Sequence, residues 1–295
     1  MHLISPSRRS DIPAFYSAWF MERVRSESVS WRNPYSGALS TVSLAARDVA
    51  AIVFWTRNFA PMLGHLPELE ARGHRTLVHF TLTALPRRVE THVPSTRAAV
   101  RQMRTLAERI GPERVLWRYD PILLSEECDA AFHRRTFASL AHALEGCTRQ
   151  CSVSFVQVYG KVRRNFKRSG LPLPAPGVEA CRALARDLAE TARRHGIALR
   201  ACCSDELLDE TIGKARCVDR AQVLALWPEL VCEAAAAPTR EQCGCSRSFD
   251  IGAYDSCLHG CLYCYATRDR ETARLQFRRH DPACAALLPA AGEGP

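Results

Sequence analysis

Cys257-Leu258-His259-Gly260-Cys261-Leu262-Tyr263-Cys264 sets three cysteines at C-x3-C-x2-C spacing, with an aromatic residue directly before the third. Three thiolates on one tight loop hold three irons of a 4Fe–4S cube and leave the fourth iron without a protein ligand. An open iron is a place for chemistry, whereas four protein ligands make a site that carries electrons or holds a fold. Two other chemistries use the same residue types. Zinc would take Cys261 and Cys264 as half of a tetrahedral set, completed by Cys243 and Cys245 or by His259. A closed ferredoxin-like cluster would recruit a fourth nearby cysteine. The presence of three cysteines at this spacing suits the open cluster.

Further thiols stand upstream. Cys243-Gly244-Cys245 precedes the loop, Cys202-Cys203 falls at the expected end of a strand, and Cys217 follows. A second metal site is readable from Cys203, Cys217, Cys243 and Cys245, holding an iron–sulfur cluster or zinc, with glycine allowing a tight turn between Cys243 and Cys245. The plainer reading is that some of these are buried apolar thiols, a common fate of cysteine.

Strand-like runs that would position these groups occur at Leu3–Ser5, Ala51–Thr56, Thr76–Thr83, Val115–Tyr119, Ser152–Tyr159 and Ile197–Ala201. Helical spacing separates them: Val100, Met103, Leu106 and Ile110 stop at Gly111; Phe137, Leu140, Ala141 and Leu144 stop before Gly146; Cys181, Leu184, Leu188 and Ala192 stop before Gly196. Strands alternating with amphipathic helices predict right-handed βαβ units and a parallel sheet, here an α/β fold shaped as a partial TIM-type (β/α) barrel of about six units. No G-x-G-x-x-G loop supports a dinucleotide fold. The expected organisation is a barrel domain over 1–233, a connector over 234–242 and a cysteine-rich cluster-binding tail over 243–295, folded back across the barrel mouth. A charged helix is expected around Arg268–Arg279, and the last residues, Pro289–Pro295, have the composition of a frayed end.

Alternation along the strands sends Val78, Phe80 and Leu82 toward the helices, and His79, Thr81 and Thr83 toward the axis. Likewise Trp117 and Tyr119 alternate with Arg118 and Asp120. Inward polar residues need partners. A polar cofactor at the strand ends would meet Arg8, Arg57, Asn58, Thr81, Thr83, Arg118, Asp120 and Gln157; the competing reading for Arg118 and Asp120 is a salt bridge to each other. In Ser7-Arg8-Arg9-Ser10-Asp11-Ile12-Pro13 the arginines suit a carboxylate or phosphate, and Asp11 suits a helix N-cap with Pro13 in the first turn. Phe15, Trp19 and Phe20 read as core.

The chain has 295 residues, enough for one large α/β domain with an appendage, and no apolar run long enough for a membrane helix. Its start lacks a signal-peptide plan, so a cytoplasmic location is expected. Fourteen cysteines there argue for metal or redox chemistry before disulfides. The net charge of +9 is scattered, which favours a small-molecule substrate over nucleic acid.

The octapeptide resembles the cluster loop of radical S-adenosylmethionine (SAM) enzymes, although it stands late in the chain and the usual glycine-glycine-glutamate stretch is missing. The whole chain resembles a bacterial domain-of-unknown-function family, numbered 1848, noted for a C-terminal cysteine cluster. The matching stretches are Ser7 to Tyr16, Asn33-Pro34, Ile52 to Asn58, Trp117 to Ile122, Cys243 to Cys245, Asp250 to Asp255, and Cys264 to Ala266. Arg57 departs from the Lys-Thr-Lys-like pattern expected there. The resemblance implies a 4Fe–4S cluster on Cys257, Cys261 and Cys264, SAM as the cofactor on its open iron, and an electron donor of flavodoxin or ferredoxin type. The alternative is a zinc- or Fe–S-stabilised nucleic-acid-binding or repair protein.

Overall fold

The computed structural model describes residues 1–33 and 36–288. Pro34 of the Asn33-Pro34 pair and the end from Pro289 to Pro295 therefore lie outside the described residues. The first half runs β1 (His2–Ser5), α1 (Ile12–Phe15), α2 (Ser17–Arg25), β2 (Ser28–Arg32), β3 (Leu39–Ser43), β4 (Val49–Thr56), α3 (Ala60–Leu63), α4 (Leu66–Ala71), β5 (Thr76–Thr81) and α5 (Thr96–Ile110). The second half runs β6 (Val115–Ile122), α6 (Ala130–Ala143), β7 (Gln150–Phe155), α7 (Gly160–Ser169), α8 (Val178–Arg194), β8 (Ala198–Ala201), β9 (Gly213–Lys214), α9 (Arg220–Leu226), β10 (Phe249–Asp250) and α10 (Arg270–Arg278).

Eight strands form one parallel sheet in the order β10-β1-β4-β5-β6-β7-β8-β9, and β2 and β3 pair separately as an antiparallel hairpin. From β1 to β8 each main-sheet strand lies beside the previous one, so every crossover steps the same way. Right-handed crossovers then place their helices on one face. The sheet does not close into a barrel: β9 and β10, two residues each, stand at opposite edges. Six full strands fall short of the eight a TIM barrel needs, and two-residue strands cannot bridge the gap.

The expected alternation is observed. Ile4, Ile52, Phe54, Val78, Phe80, Trp117, Tyr119 and Val153 turn to the helix side and join one core with Trp19, Phe20, Leu106, Phe137 and Leu188. The opposite face divides along its length. At the N-terminal ends of the strands, Leu3, Ala51, Val53, Leu77 and Leu116 pack under Val218, Val223 and Leu230, in and around α9. Toward the C-terminal ends the same face carries Ser5, His79, Arg118, Asp120, Ser154 and Cys202. Apolar burial anchors one half and leaves the other to polar chemistry.

Local signals end the elements as expected. Ser95 caps α5 by accepting from the Ala98 amide at 3.3 Å, and Asp129 caps α6 by accepting from the Phe132 amide at 2.6 Å. The tail returns to the first strand, where Ile4 and Ser5 pair with Phe249 and Asp250. Among the described residues no helix is long and apolar enough to cross a membrane.

Candidate functional site

The tail joins the sheet through one carboxylate. Asp250 accepts from the Ser7 hydroxyl at 2.5 Å and from the Arg8 amide at 3.0 Å, and it pairs with Arg9 at 3.2 Å. Gly252 passes so close to Ser7 that an added Cβ would lie 2.0 Å from its Oγ. The chain then continues to Cys257 at the C-terminal ends of the strands.

There the loop is held from several sides. Asp11 caps α1 through the Ala14 amide at 3.0 Å, and it also accepts from the Thr56 hydroxyl at 2.7 Å and the Arg57 amide at 2.7 Å. Its second oxygen receives Nε2 of His259 at 2.8 Å, while Nδ1 of His259 faces the His92 carbonyl at 3.3 Å. Both nitrogens of His259 are engaged, so it does not complete a zinc set. Gly260 turns the loop in the left-handed region, at φ +69. Leu262 N–H donates to the Val89 carbonyl at 3.0 Å. Beneath Tyr263 lies an ion pair, Arg57 to Glu90 at 2.9 Å; the Tyr263 hydroxyl accepts from Arg57 and donates to Glu90, which also accepts from the Thr83 hydroxyl at 2.6 Å. Glu90 is 1 % exposed in its side chain, so its charge depends on that pairing.

Cys257, Cys261 and Cys264 are half-buried. Burial raises the Cys257 thiol, as do the neighbouring Cys264 and Cys261 sulfurs; burial pushes Cys261 up to about 12 against the pull of Arg57. Cys257 and Cys261, thiols that resist ionisation, suit a cation-rich centre, which would supply the missing positive charge. The Thr267 amide donates to Cys264 Sγ at 3.3 Å. Among the described residues, His142, Glu145 and His195 are the group whose donor atoms all lie within 4.8 Å of one another, and they sit at the surface. The loop sulfurs do not crowd onto a point in this way, and a cube of irons is bound from its separated corners rather than from one centre. The residues fit the cluster better than a single zinc.

Beside the loop a cavity of about 330 Å³ is lined by Arg57, Thr81, Thr83, Glu90, Ser95 and Thr96 among others. The sequence reading placed Arg57, Thr81 and Thr83 at such a site, and the structure brings all three together there. Asn58 caps the next turn through the Ala60 amide at 3.3 Å, and Arg8 donates to Ser248 at 3.0 Å and lies over Trp55. Arg118 and Asp120 form the salt bridge with each other that was the competing expectation. They lie beside the other thiols: Arg118 Nη1 donates to Cys217 Sγ at 3.0 Å. Gln157 accepts from Arg240 at 2.9 Å in the same neighbourhood.

Cys203, Cys217, Cys243 and Cys245 do assemble, together with Cys202, which the sequence reading left out of the set. Its position directly before Cys203 on an inward-facing strand was the available signal. Cys243 and Cys245 find their partners here and not at the loop, which removes them from any zinc set with Cys261 and Cys264. Gly244 is not in the left-handed region, so the turn between them does not require glycine. Sequence reasoning also missed Glu90, and it turned His79 inward without giving it a role. His79 is 2 % exposed, stacks on Trp55 and donates from Nε2 to the Cys217 carbonyl at 2.6 Å, leaving Nδ1 buried without a partner. Burial holds its pKa down at about 4, so the ring is neutral.

A family model described as a domain of unknown function, DUF1848, matches residues 3–266. No curated protein gives a significant match. Among solved structures, a protein from Bacteroides thetaiotaomicron assigned as a phosphomethylpyrimidine kinase is similar at 12% identity, with a TM-score of 0.24 over 67% of this chain. The chain spans 59% of that structure's length, and a likeness this distant carries no functional argument.

Proposed function

The chain belongs to the DUF1848 family, and on the geometry of its tail we propose that it is a radical-SAM-type enzyme acting on a small molecule. The observation that carries this reading is the loop of Cys257, Cys261 and Cys264, three half-buried thiols held beside a polar cavity at the C-terminal ends of a parallel sheet. A 4Fe–4S cluster held there by Cys257, Cys261 and Cys264 would leave one iron open, and would supply a site for SAM and the one-electron chemistry that breaks its sulfonium bond.

The chain's own groups do the positioning. Cys257, Cys261 and Cys264 would hold the cluster, and the Thr267 amide stabilises negative charge on Cys264. Asp11 and His259 fix the turn between the first two thiols, while Glu90, Arg57 and Tyr263 fix the third. Thr81, Thr83 and Arg57 present polar groups to the cavity, where SAM's carboxylate and ribose need partners. Without a glycine-glycine-glutamate stretch, the cationic Arg57 is the group best suited to the carboxylate. On the outer side of the turn, Gly260 lies against His92 and Arg270, and Arg87, Arg270 and Arg274 surround His92, a basic rim suited to an acidic electron donor of flavodoxin or ferredoxin type.

Anaerobic reconstitution with iron and sulfide, followed by SAM and dithionite, tests the proposal. A brown protein that releases 5′-deoxyadenosine, or a product carrying the 3-amino-3-carboxypropyl group, is expected. A colourless protein holding one zinc at the loop, or an iron protein inert to SAM, sinks it.

A further inference from the structure

Five thiols gather on the polar half of the sheet, apart from the loop. Cys202 and Cys203 leave β8, Cys217 follows β9, and Cys243 and Cys245 come from the tail. Cys202 Sγ and Cys217 Sγ are 3.6 Å apart, and Cys245 Sγ accepts from the Cys217 amide at 3.2 Å. Cys203 is hydrogen-bonded to Cys202, and Cys243 to Cys245, so the five form a connected string. Three separate segments bring thiols and little else to this place.

Two guanidinium groups face them. Arg118 donates to Cys217 Sγ at 3.0 Å, and Arg240 reaches Cys202 Sγ at 3.9 Å. Arg118 shares its charge with Asp120, but the other hydrogen-bond partners of Arg240 are neutral, Gln157 at 2.9 Å and Tyr159 at 3.3 Å. Holding a guanidinium against neutral thiols is costly, whereas against thiolates it is favourable. Ordinary structural cysteines sit among apolar groups and do not recruit such charge. The site is therefore built for a ligand that keeps sulfurs ionised.

Five thiols exceed the four that one tetrahedral ion takes, and they run in a string without the convergence seen at His142, Glu145 and His195. We propose that four of these five cysteines hold a second 4Fe–4S cluster, closed by protein ligands on all four irons. Each ligating thiol gives up its proton on binding. Being closed, this cluster takes no SAM, which separates its behaviour from that of the loop. This second cluster depends on Cys202, Cys203, Cys217, Cys243 and Cys245 alone, whatever the loop binds.

The full chain carrying Cys257→Ser, Cys261→Ser and Cys264→Ser tests it, since all five cysteines are untouched. After anaerobic reconstitution it should retain ~4 iron and ~4 sulfide per chain, with the Mössbauer signature of a 4Fe–4S cluster. Its reduced EPR signal should not change when SAM is added. Loss of all iron and sulfide, one zinc in their place, or a disulfide within the set overturns the proposal. Should that variant not fold, alkylation of the wild-type protein resolved by mass spectrometry decides the matter. At least four of the five cysteines should be protected until iron is chelated and then react together; reactivity indifferent to chelation overturns the proposal. Loss of SAM cleavage in the triple variant, with its iron retained, would mark the two clusters as separate.

Discussion

In the loop, three thiols come from eight consecutive residues and are fixed from outside by charged side chains of other segments, Asp11, Arg57 and Glu90. In the second group, five thiols come from three distant segments and are enclosed by apolar neighbours, among them Ala215 and Leu230. The first arrangement buries charge to keep an accessible face rigid. The second buries sulfur and admits charge only where it points at a thiol. This is what the proposed pair of clusters would require: an open site needs its walls braced because one side is missing, and a closed site is braced by its ligands.

The sharpest test of that contrast is to remove one arginine from each. Arg57→Ala leaves Glu90 buried beside Tyr263 without its cation, and breaking such a pair costs ~3–5 kcal/mol in urea unfolding. Arg240→Ala removes a half-buried group whose loss should cost the metal-free protein only ~1 kcal/mol. Equal losses would break the comparison. Two glycines sharpen it further. Gly252→Ala drives a Cβ to 2.4 Å from Ser7 Cβ, which should destabilise by ~1–3 kcal/mol, loosen Asp250 from β1 and lower iron retention at the loop. Gly244→Ala meets Arg216 Cγ at 3.3 Å, a flexible chain that can swing away, so the melting temperature should stay within a degree or two of wild type, roughly a ΔΔG under ~0.5 kcal/mol.

A further effect, confined to acid pH, comes from a residue that serves neither group. His133 accepts from the Tyr119 hydroxyl at 2.7 Å and donates to the Leu123 carbonyl at 2.9 Å. Burial lowers its pKa below the ordinary 6.5, so the fold favours the neutral ring. The unfolded chain therefore binds the proton first as pH falls through 6.5, and stability is lost on the acid side. Below that pH wild type should lose stability faster than His133→Asn, the difference in slope starting near half of ~1.4 kcal/mol per pH unit and never exceeding it. Parallel stability curves for the two proteins would contradict this.

How far each region could be read from sequence follows the same division. The loop was legible because spacing within eight residues fixes which thiols can meet. All six long parallel strands were legible from apolar runs, and so was the inward set of His79, Thr81 and Arg118, because alternation is local. The hairpin of β2 and β3 was not: its exposed Leu39, Ser40 and Thr41 carry no alternation of burial. Nor was β10, two residues whose strand character comes from Asp250 meeting Ser7 and Arg9. Glu90 sits in a loop with no motif, and its role arises from Arg57, Thr83 and Tyr263 converging on it. Asp11 was readable as a cap but not as the partner of His259, a contact across 248 positions. A barrel was expected from the repeat of βα units, but the number and length of edge strands decide closure, and periodicity does not report them.

The pairing of Ile4 with Phe249 also sets the order of events during synthesis. A strand at the edge of a sheet offers unpaired backbone groups to any neighbour. Until the ribosome has delivered the tail, that edge of β1 stays exposed while β4 to β8 can already assemble. Contacts between segments so distant in sequence form slowly because the intervening chain must first be ordered. The loop of Cys257 thus finds its seat only after the tail has emerged and paired with β1. At the proposed cluster site, iron would then enter after translation, onto a sheet already assembled.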